Sequence, residues 1–190
     1  QPYANKNTET ATVAKPPVKT KNVILMIGDG MGFNHHVAGA YWRYGELGKN
    51  SYEKFPFHCA MTTFSAKTEE PVPFYHAGYQ PEQFWGDLKG SVLSTELATI
   101  TDSAAAGTAL YTGVKTRNGR ISVDTQGQSL LTIGEIAHQC RKSVGVVTTV
   151  PSCDATPSAV GVHNIDRSNM KEIFHEMIHS DIFQVIIGCG

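Results

Sequence analysis

The sequence predicts an α/β fold, a mainly parallel central sheet with helices on both faces, and two observations carry that prediction. Three apolar runs rich in β-branched residues, at 23–27, 143–150 and 183–187, have the length and composition of strands buried on both faces. Segments of helical periodicity lie between them, and strands separated by helices of this length pair in parallel.

Residues 1–20 are polar, hold Pro16 and Pro17 and lack periodicity, so they read as a flexible N-terminal arm. The remainder, 21–190, reads as a single domain, because 190 residues can carry one substantial core but not two large ones. The first apolar run ends in Gly28-Asp29-Gly30-Met31-Gly32, a glycine-rich turn of the kind that stops a buried strand. Val37, Ala40, Tyr41, Tyr44 and Leu47 then recur near helical spacing and predict a helix over 34–47.

Residues 60–65 form a further candidate strand. The stretch 67–95, with Pro71, Pro73 and Pro81 and no period, reads as an inserted loop. Thr101-Asp102-Ser103 opens a helix that runs to Thr112. Asn118-Gly119 is a hairpin-turn signal between Lys115 and Val123. Leu130, Ile133, Ile136 and Ala137 share one face of a helix over 129–140. The strand over 143–150 follows, then an amphipathic helix over 168–180 and the strand over 183–187.

Composition bounds the function. An apolar fraction of 41% with 18 glycines suits a globular α/β protein, and a net charge of −1 with interspersed signs argues against a broad nucleic-acid surface. No apolar stretch approaches the ~20 residues of a membrane-spanning helix. The chain begins at Gln1, as a mature periplasmic or secreted protein would after losing its signal peptide, and as an engineered fragment would too. Cys59, Cys140, Cys153 and Cys189 lack zinc-ribbon spacing; they allow three disulfide pairings, among which the sequence does not choose.

Folds of this class place active sites beyond the carboxyl ends of their strands. Asp29 lies just past the first run, and Asp154 and Thr156 lie just past the strand ending at Val150. Asp29 reads equally as a turn residue and as a metal ligand, since a carboxylate ending an apolar strand needs a cation or hydrogen bonds. Its glycine spacing is not the Gly-x-Gly-x-x-Gly of a dinucleotide site. Thr156 can cap a helix beginning at Pro157, yet carboxylate and hydroxyl oxygens also suit magnesium.

Ser103 stands at a helix start, where serine ordinarily caps. The small residues Ala104, Ala105, Ala106 and Gly107 behind it leave the helix N-terminus open to an anion. Its hydroxyl needs a base or a metal to become a nucleophile, and no Gly-x-Ser-x-Gly elbow surrounds it. Arg167, ten residues beyond Pro157, has the guanidinium that can hold two phosphate oxygens at once.

Taken together, 27–32, Thr101-Asp102-Ser103-Ala104-Ala105-Ala106-Gly107-Thr108-Ala109 and Asp154-Ala155-Thr156-Pro157-Ser158-Ala159 resemble the alkaline phosphatase signatures, in that family's order. The resemblance covers most of 21–190 and implies an alkaline phosphatase-like catalytic domain, here its N-terminal part. It implies two zinc ions and one magnesium, with Asp29 bridging a zinc and the magnesium. Thr156 is then a magnesium ligand, and Asp154 belongs to the same site, partly through water. It further implies a phosphoserine on Ser103, which contacts a zinc, and phosphate binding by Arg167, oriented by Asp102. The implied reaction is hydrolysis of phosphate monoesters by a homodimeric enzyme. The family's remaining zinc ligands and its magnesium-binding Glu come from a later portion that is not in these residues, so this fragment alone is expected to be inactive.

Three other readings stand beside this one. A phosphodiesterase or phosphonate hydrolase could use the same scaffold, although many such relatives carry threonine where this chain has Ser103. A non-catalytic phosphate-binding homologue could keep one ligand set. His175-Glu176-Met177-Ile178-His179 matches the His-Glu-x-x-His pattern of zinc proteases. The apolar face formed by Ile173, Phe174, Met177 and Ile178 puts His175 and His179 on the opposite, solvent side of that helix.

Overall fold

The computed structural model describes residues 21–59, 63–66 and 101–189. The arm, the inserted loop and residues 60–62 of the candidate strand over 60–65 therefore lie outside the described residues, and 63–65 are irregular chain. Five α-helices are seen among the described residues, α1 (Phe33–Tyr44), α2 (Ser103–Thr112), α3 (Ile133–Gln139), α4 (Ala155–Ser158) and α5 (Met170–His179), with a 3-10 helix at Ser51–Lys54. Strands β1 (Val144–Pro151) and β2 (Phe183–Cys189) pair in parallel, with Val146 beside Ile186 and Val147 beside Ile187. The path from β1 through α4 and α5 to β2 is the helical crossover that parallel pairing requires.

The core forms where α2, α4 and α5 meet β1. Ala104, Tyr111, Ile121, Val146, Ala155, Ala159, Val162, Ile173 and Met177 make one buried cluster. Ala104 and Tyr111 lie seven residues apart, two turns along one face of α2, which is why both reach this cluster. Gly107, between them, allows α2 and α4 to come together: a Cβ there would lie 3.3 Å from Ala159 Cβ. Thr108, fully buried, donates its hydroxyl to the Ala104 and Arg120 carbonyls and accepts the Ser122 N–H at 2.8 Å. Ser122 Oγ donates onward to the Ala159 carbonyl at 2.6 Å. Such a network leaves few buried polar atoms unpaired between the packed elements.

Three expectations need correcting. The strand expected over 23–27 is irregular chain in the structure, with Val23 and Ile24 each 86% exposed. Apolarity favours burial, but a strand also needs a hydrogen-bonded neighbour, and none flanks this segment among the described residues. In β1, likewise, only Val146 is buried, because a strand is buried on both faces only where layers cover both.

Asn118-Gly119 does make a turn, but not the bend of a hairpin between Lys115 and Val123. Ile121 instead bridges antiparallel to Asn164, exchanging both backbone hydrogen bonds at 2.8 and 2.9 Å. The turn signal is local, whereas the partner strand is chosen by tertiary packing. Among the described residues no helix is long and apolar enough to cross a membrane.

Candidate active site

Helix α2 begins at Ser103, but Asp102 is its cap. Asp102 has extended backbone angles, and its Oδ1 accepts the Ala105 N–H at 2.9 Å. The Ser103 hydroxyl faces Arg167, whose Nη1 donates to Ser103 Oγ at 2.9 Å and to Asp102 Oδ2 at 3.2 Å. Arg167 Nη2 donates to Asp154 Oδ1 at 2.7 Å. Burial works against the charge of Arg167, yet its hydrogen bonds to Asp102 and Asp154 outweigh that and raise its proton affinity above the ordinary value. Both ion pairs keep a quarter to a third of their side-chain surface in solvent, so each contributes at most about 1 kcal/mol to stability. Their effect is to fix the guanidinium.

Asp154 follows the end of β1 and caps α4, accepting the Ala155 N–H at 2.7 Å on the same Oδ1. Thr156, the second residue of α4, donates its hydroxyl to Asp29 Oδ2 at 2.7 Å. Helix α4 thus joins the two halves of the site, with Asp154 turned to Arg167 and Thr156 turned to Asp29. Asp29 itself sits in the turn beyond 23–27, where the Met31 N–H returns to the Gly28 carbonyl at 3.2 Å.

The donor chemistry of Asp29 and Thr156 fits magnesium, a hard cation that takes carboxylate and hydroxyl oxygens. Asp154 Oδ1 is already committed to Arg167 and the Ala155 N–H. Among the described residues no group of three or more His, Cys, Asp or Glu side chains could hold a metal ion, so a zinc donor set is not assembled from them alone.

Sequence reasoning missed three contributors. Tyr111 donates its hydroxyl to the Thr156 carbonyl at 3.2 Å, and burial raises its proton affinity, which keeps it a donor. Its heptad spacing from Ala104 was the available signal. Gly119 donates its N–H to Asp102 Oδ2 at 2.9 Å and accepts the Arg167 N–H at 2.7 Å. Asn118 Oδ1 accepts the Asp102 N–H at 3.2 Å. For this pair, 16 and 17 residues along the chain from Asp102, the sequence offered only a turn.

The protease pattern does not assemble. His175 and His179 stack on the exposed side of α5, ring centroids 4.0 Å apart, while Glu176 turns the other way and accepts the His163 N–H at 3.1 Å.

The family model of alkaline phosphatases matches residues 20–190. The chain belongs to the alkaline phosphatase family. It is 35% identical over 195 residues to alkaline phosphatase 4 of Bacillus subtilis (strain 168), a match covering 96% of this chain and 36% of that protein. It is 34% identical over 161 residues to the streptomycin-6-phosphate phosphatase of Streptomyces griseus, covering 84% of this chain and 30% of that one. The structure of a cold-active alkaline phosphatase from a psychrophilic Shewanella species superposes with a TM-score of 0.60 at 30% identity, over 86% of this chain and 35% of that one. The chain therefore spans about a third of the length of these alkaline phosphatase relatives. The α/β fold with a parallel sheet is that of the family.

Proposed function

We propose that the complete protein hydrolyses phosphate monoesters to an alcohol and inorganic phosphate through a phosphoserine on Ser103. The observation that carries this reading is the 2.9 Å bond from Arg167 Nη1 to Ser103 Oγ, made by a guanidinium that Asp102 and Asp154 hold in place. A nucleophile and an anion-binding group are adjacent, at the start of a helix whose dipole favours negative charge.

In the first step Ser103 Oγ attacks phosphorus, the bond from phosphorus to the ester oxygen breaks, and the alcohol departs. In the second, water attacks the phosphoserine and returns the Ser103 hydroxyl with release of phosphate. Arg167 binds the non-bridging oxygens in both steps, a two-point grip that a planar guanidinium makes on substrate and product phosphate alike. Asp102 and Asp154 keep that guanidinium from swinging into solvent.

Asp29 and Thr156 would hold magnesium, and the two zinc ions would draw on Asp29, on Ser103 and on residues beyond this chain. When bound, these ions supply positive charge that lowers the proton affinity of the Ser103 hydroxyl. A periplasmic or secreted location and a homodimeric state go with this reading.

Ser103→Ala in the full-length, metal-loaded enzyme tests it. Hydrolysis of a simple aryl phosphate should fall by several orders of magnitude, and undiminished turnover would end the proposal.

A further inference from the structure

The Asn118-Gly119 turn is bonded to both residues that brace the Ser103 hydroxyl. Gly119 donates its N–H to Asp102 Oδ2 at 2.9 Å and accepts the Arg167 N–H on its carbonyl at 2.7 Å. Arg167 Nη1 closes the circuit by donating to the same Asp102 Oδ2 at 3.2 Å. Asn118 Oδ1 accepts the Asp102 N–H at 3.2 Å and so ties the main chain of Asp102 to the turn as well. Gly119 has φ of +84°, a left-handed conformation that glycine adopts without strain.

The consequence is mechanical. A guanidinium stands at the end of a long side chain with several rotatable bonds, so a two-point grip on phosphate requires both of its ends to be fixed. The turn fixes the main-chain end of Arg167 directly, through the Gly119 carbonyl. It fixes the guanidinium end through Asp102, whose carboxylate and N–H it holds separately. Neither turn residue needs to touch substrate for this.

We propose that Asn118 and Gly119 are positioning residues, which preorganise Arg167 for phosphate by locking Asp102 and the Arg167 backbone against one another. This rests on the phosphomonoesterase reading given above. Loss of the Asn118 acceptor frees the Asp102 main chain, loosens the guanidinium and weakens binding of substrate and product phosphate alike. The KM and the inhibition constant for inorganic phosphate then rise together while kcat holds, the pattern of lost uniform binding.

The test uses the full-length, metal-loaded enzyme, an aryl phosphate as substrate and inorganic phosphate as inhibitor. Asn118→Ala should raise KM and the phosphate inhibition constant by about fivefold to tenfold, with kcat within about twofold. Asn118→Asp keeps an acceptor oxygen at the same reach and should return both constants to within about twofold of the starting enzyme. In an Arg167→Ser background, Asn118→Ala should add less than about twofold, because two changes acting through one group are not additive. An unchanged phosphate constant in Asn118→Ala, or its full effect persisting without Arg167, overturns the inference. Should Asn118→Ala not fold, Asn118→Ser, whose hydroxyl is too short to reach the Asp102 N–H, carries the same expectation. An unmodified enzyme inert toward aryl phosphates would overturn the phosphomonoesterase reading instead, and calorimetric titration with phosphate would still decide whether Asn118 governs binding.

Discussion

Asp102 Oδ1 accepts the Ala105 N–H at 2.9 Å, and this bond decides what the neighbouring Ser103 is free to do. With the first turn of α2 already capped, the Ser103 hydroxyl has no capping duty and meets Arg167 instead. A serine and an aspartate side by side could have divided these tasks the other way.

Stability separates the two residues. Ser103→Ala should change unfolding free energy by no more than about 0.5 kcal/mol, while Asp102→Ala should cost about 1–2 kcal/mol through loss of the cap. Urea unfolding of the full-length protein measures both, and a Ser103→Ala loss as large as that of Asp102→Ala would contradict the capping assignment.

Arg167→Lys keeps the charge but not the fork. Arg167 reaches three side-chain oxygens, on Asp102, Ser103 and Asp154, from two nitrogens, and a single ammonium cannot span them. The phosphate inhibition constant should rise by about tenfold or more, corresponding to about 1.4 kcal/mol or more of lost binding. Competition by inorganic phosphate in a steady-state assay measures it.

Thr108→Val is nearly isosteric, yet it should destabilise the protein by about 1–3 kcal/mol. The buried hydroxyl is shared between the Ala104 and Arg120 carbonyls and accepts the Ser122 N–H, so valine strands buried backbone groups. The urea midpoint should fall, and it should fall further than for Thr112→Val, whose hydroxyl lies nearer the exposed helix end.

His163 gives a pH dependence. A hydrogen bond with Glu176 raises its pKa above 6.5, opposed by burial and aided by the Leu130 carbonyl and by the charges of Glu135 and Glu176. A raised folded-state pKa means its stabilising contribution is complete below 6.5 and disappears as pH climbs through the folded value. Unfolding free energy should therefore decline on the alkaline side of 6.5, and His163→Gln should flatten that decline. A slope unchanged in His163→Gln would count against the assignment.

Much of the candidate site was legible because its residues sit in short contiguous patterns. Asp102 and Ser103 are adjacent, Asp154 and Thr156 are two apart, and Arg167 follows at a fixed interval. Several elements were legible too: α2, α5 and the parallel strands β1 and β2 fall where the sequence pattern put them, with ends shifted by a residue or two, while α1 and α3 end or start three to four residues from where periodicity put them. The amphipathic reading of α5 was half right. Ile173 and Met177 are buried, whereas Phe174 and Ile178 stay 43% and 53% exposed, because only one narrow stripe of the helix meets the core.

By itself the sequence determined the family, the parallel α/β plan, and the adjacency of a serine to the aspartate that caps its helix, since all of these are written in local spacing. The tertiary structure alone decided that Arg167 closes on Ser103 from 64 residues away, that Thr156 meets Asp29 across 127, and that an ordinary Asn-Gly turn is bonded to both braces of the site. Local pattern sets backbone shape and which face turns inward, but hydrogen bonds between distant segments exist only after packing has fixed their relative positions to within a fraction of an ångström.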